Sequence, residues 1–468
     1  WGFVRFGLMG GVEASGKQLG NLKDGAWQVP DGTPVRYRGY YRHGQHVAFE
    51  TSIGNASVFD SCSVSDDVLI RTLQIDGKLP ASTFLKLQSH PADGVLATER
   101  VNQRPLAITS ITRAGVERGS QMNRFTLMQF VDGANLTAID GAVGILFDGS
   151  AVSGPVQLQF ESVAEAEASQ LKAVPAVEVP TVAALKAGTT GQWTAKKTQT
   201  TAVTGDESGP IAIDTITLPN GEANPFRSAM RIGGVGCLKD GRVVVSTLMG
   251  EVWIVDGIQN VGSTNELHWQ RIAAGFYQAL GVVIQHDKIL VLGSDQITRL
   301  HDLNGDNEAD FYECVTNDYP TTGGHDFCTS LQQDDIGRLY WSVSSGDLGV
   351  VRMDPSGAIE SLGNGLRNSN GIGVSPNGRI VLASVQEGTW TPASAIFEIG
   401  GRSYHGLKGP KEKHGKYGYD LPLCFVPRGI DNSTGEIGYL PQDPRLGPLS
   451  GAAIGTSYGT CRAYLVLR

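Results

Sequence analysis

The apolar residues of this chain fall into many short runs separated by glycine, proline, asparagine and aspartate. Over 36–42, 46–51, 68–75 and 124–130, apolar and polar residues alternate, the period of a strand with one buried face. These segments predict a β-sandwich-like domain over 1–160, with a beginning that reads as incomplete. An Ala/Val/Pro/Thr-rich stretch over 161–206 has little periodicity and reads as an interdomain linker, with a short helix expected over 163–172.

From 207 onward the texture changes to a repeat. Lys239-Asp240-Gly241-Arg242 precedes Val243-Val244-Val245, and His286-Asp287-Lys288 precedes Ile289-Leu290-Val291-Leu292. Asp335-Ile336-Gly337-Arg338 precedes Leu339-Tyr340-Trp341, and Pro376-Asn377-Gly378-Arg379 precedes Ile380-Val381-Leu382. A weaker fifth copy is Asn432-Ser433-Thr434-Gly435-Glu436 before Ile437. From Arg242 to Lys288, Arg338, Arg379 and Glu436 the steps are 46, 50, 41 and 57 residues. A period of roughly 40–50 residues made of short strands and polar turns is that of a β-propeller with four strands per blade. The chain is therefore expected to be all-β: a sandwich, a linker, and a propeller over 207–468 of about six blades. Because 455–468 supplies two strands at most, the last blade is expected to be incomplete.

Composition agrees with a turn-rich β protein, with 61 glycines and 18% charged residues among 468. A net charge of −9 argues against a nucleic-acid surface, which needs clustered Lys and Arg. No apolar run approaches the ~20 residues that span a bilayer. The six cysteines include no CxxC and no CxxCH, so neither a zinc ribbon nor a haem attachment site is encoded. Cys314 and Cys328 flank one connection and suit either a disulfide or two buried thiols.

In a propeller, residues just before each inner strand ring a common mouth. Counting back from each turn puts Arg231, Tyr277 or Gln278, His325, Arg367 with Asn368, and Arg428 there. Guanidinium forks hold carboxylates and other oxygen-rich groups, so the set suits an anionic or polyoxygenated ligand. Taken singly, each arginine equally suits a surface or inter-blade salt bridge. His325, in Gly323-Gly324-His325-Asp326-Phe327, suits a base that takes a hydroxyl proton while hydride leaves the same carbon, or a histidine that hydrogen-bonds its own glycine turn. Tyr37, Tyr40 and Tyr41 suit either stacking on sugar rings or packing between strands.

The segment Asp302-Leu303-Asn304-Gly305-Asp306-Asn307-Glu308-Ala309-Asp310-Phe311-Tyr312-Glu313 has the oxygen spacing of an EF-hand calcium loop. Its candidate ligands are Asp302, Asn304, Asp306, Glu308, Asp310 and Glu313. The flanks read as strands, which predicts a structural calcium loop without the EF helices, or an Asx-rich turn that binds nothing.

The stretch 365–406 resembles the soluble quinoprotein glucose and sorbosone dehydrogenases. It carries Gly365-Leu366-Arg367-Asn368, an Asn377-Gly378 turn, Gln386-Glu387-Gly388 and Gly400-Gly401-Arg402-Ser403-Tyr404-His405-Gly406. It departs from that family at Gly388-Thr389, around Ala393-Ser394-Ala395, and at His405-Gly406-Leu407. The resemblance implies a six-bladed propeller that carries pyrroloquinoline quinone and calcium. Arg367 and Asn368 would then contact the quinone, Arg231 and Arg428 would stand beside it, and His325 would act as base on a sugar or alcohol.

Over nearly its whole length the chain also resembles secreted proteins of planctomycete-type bacteria, described as dehydrogenases, that join a β-sandwich to such a propeller and a c-type cytochrome domain. RYRGYYRHG, DLNGDNEADFYE, GGHDF, WTPAS and PRGIDNSTG carry that likeness. It implies export to the periplasm or beyond and electrons passed to a c-type cytochrome. The alternative is a non-catalytic propeller that binds carbohydrate or a protein, with a carbohydrate-binding sandwich.

Overall fold

The computed structural model describes residues 27–66, 68–89, 97–101, 104–110, 121–164, 174–209, 212–319, 327–343, 348–412 and 414–466. The chain is all-β and divides into two compact units. The first comprises 1–191 with 301–314, the second 192–300 with 315–468. No helix among the described residues is long and apolar enough to cross a membrane.

In the first unit, one antiparallel sheet runs in the order Trp27–Gln28, Thr83–Ser89, Ala142–Phe147, Ala134–Ile139. A longer sheet takes Val35–His43, His46–Ile53, Ala56–Ser65, Val68–Asp76, Val156–Ala164 and Gln121–Leu127 in spatial order, and ends on Arg104–Ser110 and Ala97–Val101. Strand alternation turns Val35, Ile53, Val58, Leu73, Val156 and Leu158 of the long sheet onto Leu85, Val143, Ile145 and Phe147 of the short one, forming one core. Each such side chain contributes roughly 1.5–3 kcal/mol by leaving water. Val163 and Ala164, where a helix was expected to begin, end the strand Val156–Ala164, and 165–172 lie outside the described residues. The helix of this region is Val182–Ala187, whose Thr181 Oγ1 accepts the Ala184 N–H at 3.2 Å.

The excursion 301–314 belongs to the first unit, where Phe311, Tyr312 and Glu313 pair antiparallel with Tyr41, Tyr40 and Gly39. Gly39 (φ 126°) sits where the strand slips register, and a Cβ there would run into the carbonyl of Tyr312. Tyr40 stacks on Tyr312 at 4.6 Å and Tyr41 on Phe311 at 4.3 Å, while Tyr37 is buried. These tyrosines serve strand packing, with Tyr37 and Tyr41 buried and Tyr40 half-buried.

In the second unit, consecutive antiparallel meanders follow one another along the chain. Blade one is Ile232–Cys237, Val243–Thr247, Glu251–Asp256 and Glu266–Ala274, with Lys197–Val203 added at its outer edge. Blade two is Val282–Gln285, Lys288–Leu292 and Ile297–His301. Blade three is Cys328–Gln333, Leu339–Val343, Val350–Met353 and Ile359–Asn364. Blade four is Gly371–Val374, Val381–Val385, Ser394–Glu398 and Cys424–Val426. Blade five is Thr434–Tyr439, Ala453–Ser457 and Ala463–Val466.

The first strand of each blade touches the first strand of the next, which is the arrangement of a β-propeller. Trp341 and Phe397 pack between neighbouring blades, Trp253 and Trp269 pack with Phe226 and Met230 beside blade one, and all four are fully buried. The inner strands approach so closely that a Cβ on Gly371 would strike the main chain of Gly435 and Glu436.

Four of the five repeated turns connect an inner strand to its second strand, as their spacing predicts. The fifth does not: Glu436 lies inside the inner strand Thr434–Tyr439, and the turn of that blade is the 3₁₀ segment Pro444–Leu449. The Asn-Ser-Thr-Gly turn leads into the strand rather than out of it, and the second strand of that blade starts only at Ala453.

Candidate functional site

Rim residues of blades four and five meet in one hydrogen-bonded network. Arg367 and Asn368 stand just before the inner strand Gly371–Val374, and Gln386 and Glu387 just after the second strand Val381–Val385. An antiparallel pair brings those two ends together, so the Gln386 N–H donates to the Arg367 carbonyl at 3.1 Å. Asn368, held at φ 42°, donates from Nδ2 to Gln386 Oε1 at 3.2 Å. The Arg367 guanidinium donates to the carbonyl of Glu387. Arg428, from the loop before blade five, takes the Glu387 carboxylate with two nitrogens, Nη2 lying 2.8 Å from Oε1.

The network continues inward. Gln386 Nε2 donates to Ser433 Oγ at 2.6 Å, and Asn370 Nδ2 donates to the Thr434 carbonyl at 3.1 Å. Asp431 Oδ1 accepts the Ser433 N–H at 2.9 Å. Asp431 and Ser369 are wholly buried, yet Asp431 Oδ2 and Ser369 Oγ find no hydrogen-bond partner among the described residues. An unpaired buried oxygen of this kind costs about 1–3 kcal/mol, more if charged, unless a ligand or water donates to it. Beside the rim, a turn closed by the Gly388 N–H to the Thr391 carbonyl at 3.0 Å leaves Trp390 43% exposed, edge-on to Tyr419 at 4.8 Å.

The structure thus joins three of the sequence candidates, Arg367, Asn368 and Arg428. Arg231 is exposed immediately before the inner strand of blade one and makes no side-chain hydrogen bond among the described residues. His325 lies outside the described residues. Glu387 and Gln386 were visible only as part of a resemblance. Asn370, Ser433 and Asp431 carry no motif and become a group only when the strands pair.

Deeper on the axis, Glu436 reaches past Gly371 to the inner strand of blade three. It accepts from Ser330 Oγ, and from Gln332 Nε2 at 2.9 Å. Ser330, at φ 62° where its strand slips register, also takes the Ile372 N–H on Oγ at 3.1 Å. Burial pushes the Glu436 carboxyl up to about 7, against the smaller pull of those two donors.

The acidic loop of the first unit folds around its own amides. Asp302 Oδ1 accepts the Gly305 N–H at 2.7 Å and Oδ2 the Asn307 N–H at 2.8 Å. Asp306 Oδ2 accepts the Gly191 N–H at 2.6 Å, and Asp310 Oδ1 the Thr189 N–H at 2.9 Å. Burial pushes the Asp310 carboxyl up, and the charges of Asp306 and Asp302 add to the shift. Two expected ligands turn elsewhere: Glu308 pairs with Arg42 at 3.4 Å and Glu313 with His301 at 2.8 Å. Among the described residues no three His, Cys, Asp or Glu side chains converge as a formed metal cage. What the loop retains for a cation is the hard-oxygen set of Asp302, Asn304, Asp306 and Asp310, which suits calcium rather than a softer metal.

No protein-family model and no curated protein sequence matches the chain. Among solved structures it is similar to the PQQ-bound aldose sugar dehydrogenase of Streptomyces coelicolor, with 16% identity over 52% of this chain and 78% of that one, at a TM-score of 0.38. It is also similar to the PQQ domain of pyranose dehydrogenase from Coprinopsis cinerea, with 12% identity over 50% of this chain and 73% of that one, at a TM-score of 0.37. A Trichoderma reesei member of carbohydrate-active enzyme family AA12 matches at 15% identity over 51% and 76%, with a TM-score of 0.36. Likenesses this distant carry no argument about chemistry, which rests on the chain's own residues.

Proposed function

We propose that the propeller binds a sugar or related polyol at the rim formed by Asn368, Glu387 and Arg428. The observation that carries this reading is the buried, unpaired Asp431 Oδ2 and Ser369 Oγ beneath a network of both charge signs. A polyol donates hydroxyl hydrogens to such oxygens and accepts from Asn and Arg N–H groups, without bringing a charge of its own. Trp390 supplies an exposed ring of the kind that packs on a sugar face.

Oxidation of that ligand is the second part of the proposal and rests on the Gly-Leu-Arg-Asn resemblance. Pyrroloquinoline quinone, when bound, supplies a hydride acceptor. Arg367 and Asn368 would contact it, Arg231 and Arg428 would stand beside it, His325 would take the hydroxyl proton, and electrons would pass to a c-type cytochrome of an exported system. The fit has one condition visible in the structure: Arg428 is engaged by the Glu387 carboxylate and must leave it to receive an anionic cofactor, whereas Arg367 gives one nitrogen to the Glu387 carbonyl and keeps further N–H donors. Calorimetric titration with aldoses tests the first part. Quinone binding in the presence of calcium, followed by dye reduction, tests the second. Sugar binding with no quinone binding identifies a non-catalytic carbohydrate-binding propeller.

A further inference from the structure

The inner strands that begin at this rim end at the opposite face, where residues of blades two to five line an open, solvent-facing cavity of about 580 Å³. That volume is typical of a small-molecule site. Its wall includes Gln285 of blade two, and Gln332, Gln333 and Asp335 of blade three.

The three amides are fixed by their nitrogen ends. Gln285 Nε2 donates to the Gly337 carbonyl at 3.1 Å, Gln333 Nε2 to the Ile284 carbonyl at 2.7 Å, and Gln332 Nε2 to Glu436 Oε1 at 2.9 Å. Each amide carbonyl is left as an acceptor without a donor among the described residues. Asp334 is closed by Arg338 at 2.5 Å and by the Tyr340 hydroxyl at 2.9 Å, so that arginine is spent. Asp335, its neighbour on the wall, has no ion-pair partner among the described residues. Behind Gln332, Glu436 adds a second carboxyl group whose partners are both neutral.

The wall, on which His286 also stands, therefore offers oxygen acceptors in excess and one carboxylate, Asp335, with no ion-pair partner among the described residues. A ligand that answers it brings several N–H donors and positive charge, which is the chemistry of an alkylammonium group with its three donors. We propose that this axial cavity is a binding site for a small protonated amine, held by the Gln332 and Gln333 carbonyls and the Asp335 carboxylate. The site is separate from the sugar rim and does not depend on it.

The test is calorimetric titration of the full chain with 1,4-diaminobutane at neutral pH, with 1,4-butanediol as the uncharged probe of equal length. The expected result is binding of the diamine, no binding of the diol, and weakening of about tenfold or more in Asp335→Asn, equivalent to about 1.4 kcal/mol. Arg428→Ala, at the rim, leaves the diamine affinity unchanged. Asp335 is exposed, so its variant is expected to fold as the parent does, checked by circular dichroism. Absence of diamine binding, equal binding of the diol, or unchanged affinity in Asp335→Asn overturns the proposal.

Discussion

Arg428 grips the carboxylate of Glu387 with two nitrogens, while Arg367 donates to the carbonyl of that same residue. One glutamate thus sets the electrostatics of the rim. It neutralises one guanidinium, orients another, and makes the mouth suited to a neutral ligand with many hydroxyls.

Replacing that glutamate separates the two parts of the proposed function. Glu387→Gln frees the guanidinium of Arg428 and is expected to tighten binding of pyrroloquinoline quinone by about tenfold or more, measured by fluorescence quenching with calcium present. Because the pair is largely exposed on the arginine side, stability should change by no more than ~1 kcal/mol. A variant that binds quinone no better than the parent shows that Glu387 does not control access.

Glu436 predicts a pH dependence of stability. Its carboxyl, ordinarily near 4.5, is pushed up to about 7 in the fold. The folded chain therefore keeps a proton that the unfolded chain releases, and stability rises with proton uptake. The contribution is complete below about 4.5 and is lost as pH rises through about 7, on the order of 3 kcal/mol at most. Denaturant unfolding at pH 5 and pH 8 should show this loss in the parent and a smaller one in Glu436→Gln, which stays neutral at both.

For the acidic loop, calcium added to chelator-treated protein is expected to raise the melting temperature of the first unit, and Asp302→Asn together with Asp310→Asn to abolish the rise. Glu308→Gln and Glu313→Gln should leave it nearly intact, since those carboxylates serve Arg42 and His301. A melting temperature indifferent to calcium makes the loop an Asx turn held by its own amides.

Within the sandwich, Arg71 and Asp60 form a buried pair, with Nη2 to Oδ2 at 2.5 Å. Arg71→Met leaves a carboxylate stranded in the interior and should destabilise the first unit by about 3–5 kcal/mol. Restoring neutrality with Asp60→Leu in the same chain should recover part of that loss. Equilibrium unfolding of single and double variants measures both.

Much of the fold was legible because its signals are local. Gly and Asn at φ-demanding turns announce Lys239–Arg242 and its copies, and two-residue alternation announces strands such as Val35–His43 and His46–Ile53. The fifth repeat misleads because an Asn-Gly-type turn has the same composition whether it enters or leaves a strand. Glu436 was therefore placed in a turn, though pairing puts it on the propeller axis. The rim was half legible: Arg367 and Asn368 sit in a motif, whereas Asn370, Ser433 and Asp431 are ordinary polar residues until two blades bring them together. The acidic loop shows the limit of spacing rules, since Glu308 and Glu313 occupy ligand positions yet pair with Arg42 and His301 outside the loop.

The most direct measurement is calorimetric titration of D-glucose and related aldoses and polyols into the full chain, its Arg428→Ala variant and its Asp431→Asn variant. The account predicts saturable binding in the parent, weakened by about tenfold or more in Arg428→Ala and in Asp431→Asn, with both variants still folded by circular dichroism. Absence of binding across that set, or binding that neither substitution weakens, would contradict it.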